Sequence, residues 1–225
     1  MSNIIAIVNQ KGGVGKTTTA VNLGAYLAHN GQSVLLLDFD PQANATSGLG
    51  IDHRTLTHGI YEALLGIVDP ASIVQETAHQ NYAIIPATRA LAGANVDLVT
   101  LENRERKLAD AFSVLTAQYD ITLIDCPPSL GMLTINALAA AHHILIPVQA
   151  EYYALEGLGQ LIETIRLIQE RLNPDLNVLG AVLTMYDRRQ RLSQEVLEEL
   201  YRHFENKIFR SVIPRSVRLA ESPSH

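Results

Sequence analysis

Two lysines flank the glycines of the run Gln10-Lys11-Gly12-Gly13-Val14-Gly15-Lys16-Thr17-Thr18. Residues of these types at this spacing bind phosphate. Glycines let backbone N–H groups converge on anionic oxygens where a Cβ would obstruct them, and lysine supplies opposite charge. The general pattern, Gly-x-x-x-x-Gly-Lys-Ser/Thr, is met at Gly15, Lys16 and Thr17 but missed at its first position, where Gln10 stands. A second lysine, Lys11, follows that departure. Lys16 is expected to neutralise the β- and γ-phosphates of a nucleotide, and the Thr17 hydroxyl to bind Mg²⁺. Two further stretches carry carboxylates: Asp38-Phe39-Asp40-Pro41-Gln42, and Ile124-Asp125-Cys126-Pro127-Pro128-Ser129. Asp125 has the setting of a metal-supporting aspartate in phosphoryl transfer. Asp38 and Asp40 either face the same phosphates or serve the turn before Pro41.

These residues are useful only if local structure presents them together. The apolar run Asn3 to Val8 predicts a strand, and Thr17 to Asn30 a helix closed by Gly31, so a strand feeds the loop and the loop feeds a helix N-terminus. Ser33 to Leu37 and Ile121 to Ile124 predict buried strands that deliver Asp38 and Asp125 at their carboxyl ends, where open α/β sheets bind ligands. Pro127 and Pro128 force the chain out of the sheet there. Ala43 to Asp52 reads as a mobile connection. Short helices are expected over Gly59–Leu65 and Pro70–Gln75, a strand over Tyr82–Ile85 and an amphipathic helix over Arg104–Gln118. Later come helices over Leu133–Ala141, Leu155–Leu172 and Leu192–Phe204, and strands over Ile144–Val148, Val178–Met185 and Ile208–Ile213. This alternation predicts one α/β domain over residues 1–225: a doubly wound, mostly parallel sheet of P-loop NTPase type.

Composition narrows the function classes. With 47% hydrophobic residues and no apolar run of roughly 18 residues, the chain reads as a soluble, cytoplasmic protein with no membrane partner. One cysteine, Cys126, excludes an internal disulfide framework and cannot alone hold an iron–sulfur cluster. The histidines form no ligand spacing; His142 and His143 are expected on one strand, pointing to opposite faces. The net charge of −6 argues against a uniformly basic nucleic-acid binder, yet residues 186–218 hold eight Arg/Lys against five Asp/Glu. A local basic surface on an acidic protein is compatible with that distribution.

Taken together, the lysine-glycine loop, the Asp38–Gln42 segment and the Ile124–Ser129 segment resemble the deviant Walker A ATPases. Within them, Pro147-Val148-Gln149-Ala150-Glu151-Tyr152-Tyr153-Ala154-Leu155-Glu156-Gly157 and Ile213-Pro214-Arg215-Ser216-Val217-Arg218-Leu219-Ala220-Glu221-Ser222-Pro223-Ser224-His225 resemble the ParA/Soj partitioning ATPases over the full length. That resemblance implies ATP and Mg²⁺ as cofactors and an ATP-dependent homodimer in which Lys11 reaches the phosphates held by the other subunit. It implies that Lys11, Lys16 and Asp40 act in hydrolysis, with Asp40 positioning the attacking water. Lys11, Gly12, Gly13, Val14, Gly15, Lys16, Thr17 and Thr18 would hold the phosphates. Thr17 and Asp125 would serve the metal, and Pro214 and Ser216 would border the adenine. It further implies non-specific binding of double-stranded DNA, with Arg189 and Arg218 foremost and Arg188 and Arg191 beside them. Association with the nucleoid and a ParB-type centromere-binding partner that stimulates hydrolysis complete the expectation. Relatives are expected to continue for a strand and helix beyond the position of His225. Two other readings stay open: a membrane-associated ATPase of the MinD kind, whose amphipathic C-terminal helix is not read in this sequence, and a metabolic enzyme on the same loop.

Overall fold

The runs rich in Ile, Leu and Val form the centre of one sheet in the computed structural model, which describes residues 2–151, 156–204, 207–217 and 219. Its strands are β1 (Asn3–Ile7), β2 (Val34–Asp38), β3 (Gln75–Glu76), β4 (Tyr82–Ile85), β5 (Ile121–Asp125), β6 (His143–Gln149), β7 (Asn177–Tyr186) and β8 (Ile208–Pro214). They lie in the order β3-β4-β2-β5-β1-β6-β7-β8, parallel throughout except where β3 pairs antiparallel with β4. The helices are α1 (Lys16–His29), α2 (Asn44–Gly48), α3 (Ile60–Leu64), α4 (Ala94–Asp97), α5 (Lys107–Thr116), α6 (Met132–Ala140), α7 (Glu156–Arg171) and α8 (Arg191–Phe204).

Both faces of the sheet are covered, so the strands carry unbroken apolar runs. Alternate residues enter two separate cores. Ala6, Leu35, Leu37 and Ile124 pack with Phe112, Leu133 and Leu161 from α5, α6 and α7. Ile7, Val34, Leu36 and Leu123 pack on the opposite face with Ala20 and Ala28 of α1 and with Tyr82. The register between neighbouring strands sets Ile7 beside Asp125 and Asp125 beside Asp38. The carboxyl ends of β1, β5 and β2 therefore meet at one edge, with β1 between β5 and β6.

Most expected elements are present, with shifted ends. The helix expected from Thr17 starts at Lys16, and Gly31, at φ 88°, follows its end as a left-handed residue should. The connection expected over Ala43–Asp52 contains α2, whose Thr46 is tied to Asp38. The helix expected from Arg104 begins as a 3₁₀ turn over Arg104–Arg106 and becomes α-helical at Lys107. His142 precedes β6, and its Nδ1 accepts a 3.0 Å bond from the Ile4 N–H, so the two histidines do not share a strand as expected. On α7, Leu158, Leu161, Ile165 and Ile168 face inward, whereas Ile162 is exposed; Leu155, the first residue expected in that stripe, lies outside the described residues.

One close approach fixes α1 against the sheet. A Cβ at Gly24 would overlap the hydroxyl and ring of Tyr82, a fully buried side chain. Gly24→Ala should therefore destabilise the fold by about 1–3 kcal/mol through overpacking, despite alanine's higher helix propensity. Urea unfolding measures this; a variant as stable as the native chain would show that Tyr82 has room to move.

Candidate functional site

The loop leaving β1 passes through two left-handed glycines, Gly13 at φ 75° and Gly15 at φ 89°. Those angles demand glycine where side chains rarely go. Gly12 has a different role: a Cβ there would meet only Pro128 at 3.9 Å, and one at Gly13 would meet nothing within 4 Å. Within the chain, Gly12 therefore avoids no clash; the space before Gly12 and Gly13 is open, a cradle that side chains would fill. Val14 is buried and anchors the loop, because its carbonyl accepts a 2.8 Å bond from the buried Thr184 hydroxyl on β7. Thr17 and Thr18 lie in the first turn of α1, which has no side-chain cap. The helix thus presents its N-terminal N–H groups and partial positive charge toward the cradle.

Lys16 is 7% exposed, and its Nζ donates to the Lys11 carbonyl at 3.1 Å. Burial lowers the ammonium's pKa, while the charges of Asp125, Cys126 and Asp40 oppose that shift. Lys11 sits apart from this cluster: its Nζ lies 3.1 Å from Glu151 Oε2 at the rim. The two lysines thus occupy different electrostatic surroundings.

The carboxylates also separate by role. Asp38 is saturated, with Oδ2 accepting from the Thr46 N–H at 2.8 Å and the Thr46 hydroxyl at 2.6 Å, and Oδ1 from the Asp40 N–H at 3.3 Å. Of the two uses weighed for it, the structure assigns Asp38 to anchoring the loop and α2. Asp40 Oδ1 accepts from the Gln42 N–H at 3.0 Å. Asp125 is fully buried, yet neither of its oxygens has a hydrogen-bond partner. The Thr17 hydroxyl is near enough to favour the charged form of Asp125 but not to satisfy it. Burial first, and the Asp38 charge second, push its pKa well above the ordinary carboxylate value. An orphaned buried carboxylate beside a threonine and an open glycine cradle suits a hydrated divalent cation carried by phosphate.

Farther along the same edge, β7 and β8 end at Tyr186 and Pro214, which pair, and the Arg215 N–H donates to the Tyr186 carbonyl at 3.3 Å. Pro214 is exposed and Ser216 half-buried there. Arg188 and Arg189 follow β7 in the open; Arg189 makes a bidentate pair with Asp187, at 3.0 and 2.9 Å. That pair, with the backbone N–H of Arg189, holds the Asp187 carboxyl at about 2, and Arg215 adds to the effect. Sequence reading thus missed Arg215 as a member of the cluster. Arg218 and the side chain of Arg191 lie outside the described residues. Also missed were Thr184 and Glu151, which act on the loop from 170 and 140 positions away, and Asn9, which ties the start of the loop to Pro147, 138 positions away.

Residues 2–178 match a family model described as an AAA domain. The chain is 54% identical over 225 residues to the sporulation initiation inhibitor protein Soj of Bacillus subtilis, a match spanning 100% of this chain and 89% of that protein. It is 52% identical to the chromosome partitioning protein ParA of Myxococcus xanthus, spanning 100% and 79% of the two. The chain belongs to the ParA/Soj family of P-loop ATPases. A solved structure also superposes on it with a TM-score of 0.92 at 41% identity: cobyrinic acid a,c-diamide synthase of Mycobacterium smegmatis with bound ADP and magnesium, covering 100% of this chain and 92% of that one. The ParA/Soj assignment follows from the higher identities over the full span.

The acid cluster has a pH signature. Asp38 is raised to about 6 from 3.8, by burial first, against the opposing hydrogen bonds from Thr46. A raised carboxyl pKa means that the fold binds more protons than the unfolded chain between those values, so stability falls as pH rises through that window. In urea unfolding of the nucleotide-free protein from pH 4 to 7, the native chain should lose about 1–3 kcal/mol relative to Asp38→Asn. A constant difference would contradict the shift.

Proposed function

We propose that this chain is an ATP-dependent switch for DNA segregation. Its cofactors are ATP and Mg²⁺. Lys16, with the N–H groups of Gly12 to Thr18, binds the phosphates of its own nucleotide. Thr17 and Asp125 hold the cation, Asp125 through water. Bound Mg²⁺ would supply neutralisation of the charge that builds on the phosphoryl oxygens. Asp40, at the carboxyl end of β2 and fixed by its bond with Gln42, orients the attacking water. Pro214 and Ser216 border the adenine.

Lys11 acts differently from Lys16. Two ATP-bound copies pair face to face, and Lys11 of each reaches the phosphates of the other, as an arginine finger does when supplied by a second protein. The observation that carries this reading is the separation of the two ammonium groups: Lys16 is buried among the carboxylates, while Lys11 is held at the rim, out of its own cluster. A lysine completed across an interface ties phosphate chemistry to assembly, so that hydrolysis ends the paired state.

The paired form binds double-stranded DNA through phosphates, at Arg188, Arg189 and the basic residues near the carboxyl ends of β7 and β8, with Arg191 and Arg218 as further contacts. An exposed ion pair such as Arg189–Asp187 contributes little stability, so it exchanges readily for a nucleic-acid phosphate. A ParB-type centromere-binding protein stimulates hydrolysis and release. The place of action is the cytoplasm, on the nucleoid; no helix among the described residues is long and apolar enough to cross a membrane.

The test uses Asp40→Ala saturated with ATP and duplex DNA over a range of salt. Binding should appear only with ATP and weaken steeply with salt. Arg189→Glu should reduce affinity alike for unrelated sequences and flatten the salt slope by about 1 or more. Absence of any salt-sensitive binding would remove the DNA reading. The diamide synthase relative makes a second outcome concrete: ATP turnover that requires a corrinoid acid and an amide-nitrogen donor, and ignores DNA, would favour a metabolic ligase.

A further inference from the structure

Lys11 is restrained at three points within one chain. Its N–H donates to Asn9 Oδ1 at 3.0 Å, its carbonyl accepts from Lys16 Nζ at 3.1 Å, and its ammonium stands 3.1 Å from Glu151 Oε2. The restraints are themselves fixed. The Asn9 amide donates to the Pro147 carbonyl at 2.7 Å, and Glu151 Oε1 accepts a 2.6 Å bond from Nε2 of the buried Gln149. Pro147 and Gln149 lie on β6, which pairs with β1, and Glu151 stands two residues past its end. One strand thus grips both the backbone and the ammonium of the same lysine.

We infer that Glu151, braced by Gln149, is a positioning residue that holds the Lys11 ammonium back in the unpaired chain and so sets how much ATP is needed for two copies to associate. The inference rests on the assignment of Lys11 to the other subunit's phosphates. An ammonium cannot serve an opposing nucleotide while it is bound to a carboxylate of its own chain, so the pair must open as the subunits close. A triphosphate offers more negative charge than a single carboxylate and wins that competition; a diphosphate, lacking the γ-phosphate, wins it less often. The ion pair therefore also sharpens discrimination between ATP and ADP.

The size of the effect follows from exposure. The two side chains are 33% and 46% exposed, so solvent screens the pair and its release should matter by about 2–5-fold per chain. Association uses two chains, which compounds to an upper bound of about 25-fold on the dimerisation constant.

Sedimentation velocity of the full chain, with the β,γ-imido analogue of ATP and separately with ADP, reads this directly. Glu151→Gln and Glu151→Ala should both dimerise at lower analogue concentration than the native chain, and both should show more dimer with ADP. Their advantage should shrink as salt rises, because screening weakens the pair only where it exists. Lys11→Ala should stay monomeric. If the Glu151 variants pair no better than the native chain while Lys11→Ala remains monomeric, Glu151 does not hold Lys11 back and the inference falls alone. If Lys11→Ala pairs normally, the assignment of Lys11 across the interface falls and takes the inference with it.

Discussion

A lysine ammonium buried beside carboxylates organises this molecule. Removing Lys16 from water favours loss of its proton, and the negative charges of Asp125 and Asp40 resist that loss. The carboxylates face the reverse problem: burial and mutual repulsion raise Asp38 and Asp125. Lys16 and Asp125 each ease the other's burial, while Asp38 is eased by the bonds it accepts from Thr46. This condition can be met only where the carboxyl ends of β1, β2 and β5 coincide, and the register of three parallel strands provides that point.

The loop's shape is set by what surrounds it as much as by its own residues. Two glycines supply left-handed turns, but the loop is fixed in place by Asn9 against β6 and by Thr184 of β7 against Val14. The neighbouring strands on one side of β1 thus hold the loop, while those on the other side supply its carboxylates. Asp38, which carries acid chemistry in principle, is instead consumed by Thr46, and the Thr46 hydroxyl in turn accepts from the Ala87 N–H at 3.0 Å. That chain of bonds ties the end of β2 to the end of β4 and leaves Asp40, the next acidic residue, at the site.

Much of this was readable from residue order, for a physical reason. Buried parallel strands need continuous apolar runs, so β1, β2, β5 and β6 stood out, and the carboxylates that follow two of them pointed to the binding edge. Short elements did not stand out. β3 has two residues, too few for any alternation to register, and α2 depends on a contact between Asp38 and Thr46 that local propensity does not encode. Among the candidate site residues, Lys16 and Thr17 drew attention because the phosphate pattern includes them, and Asp125 because it ends an apolar strand. Glu151, Thr184 and Arg215 did not, since their roles arise only when strands distant in sequence become neighbours.

The central claim is that the two lysines of one loop have separate duties, one inside its own site and one beyond it. Nucleotide affinity by calorimetry, measured beside molecular mass in solution for Lys16→Ala and Lys11→Ala, tests it most directly. The account expects Lys16→Ala to lose nucleotide binding, and Lys11→Ala to bind ATP with near-native affinity yet remain a single chain. Equal loss of nucleotide affinity in both variants would contradict it.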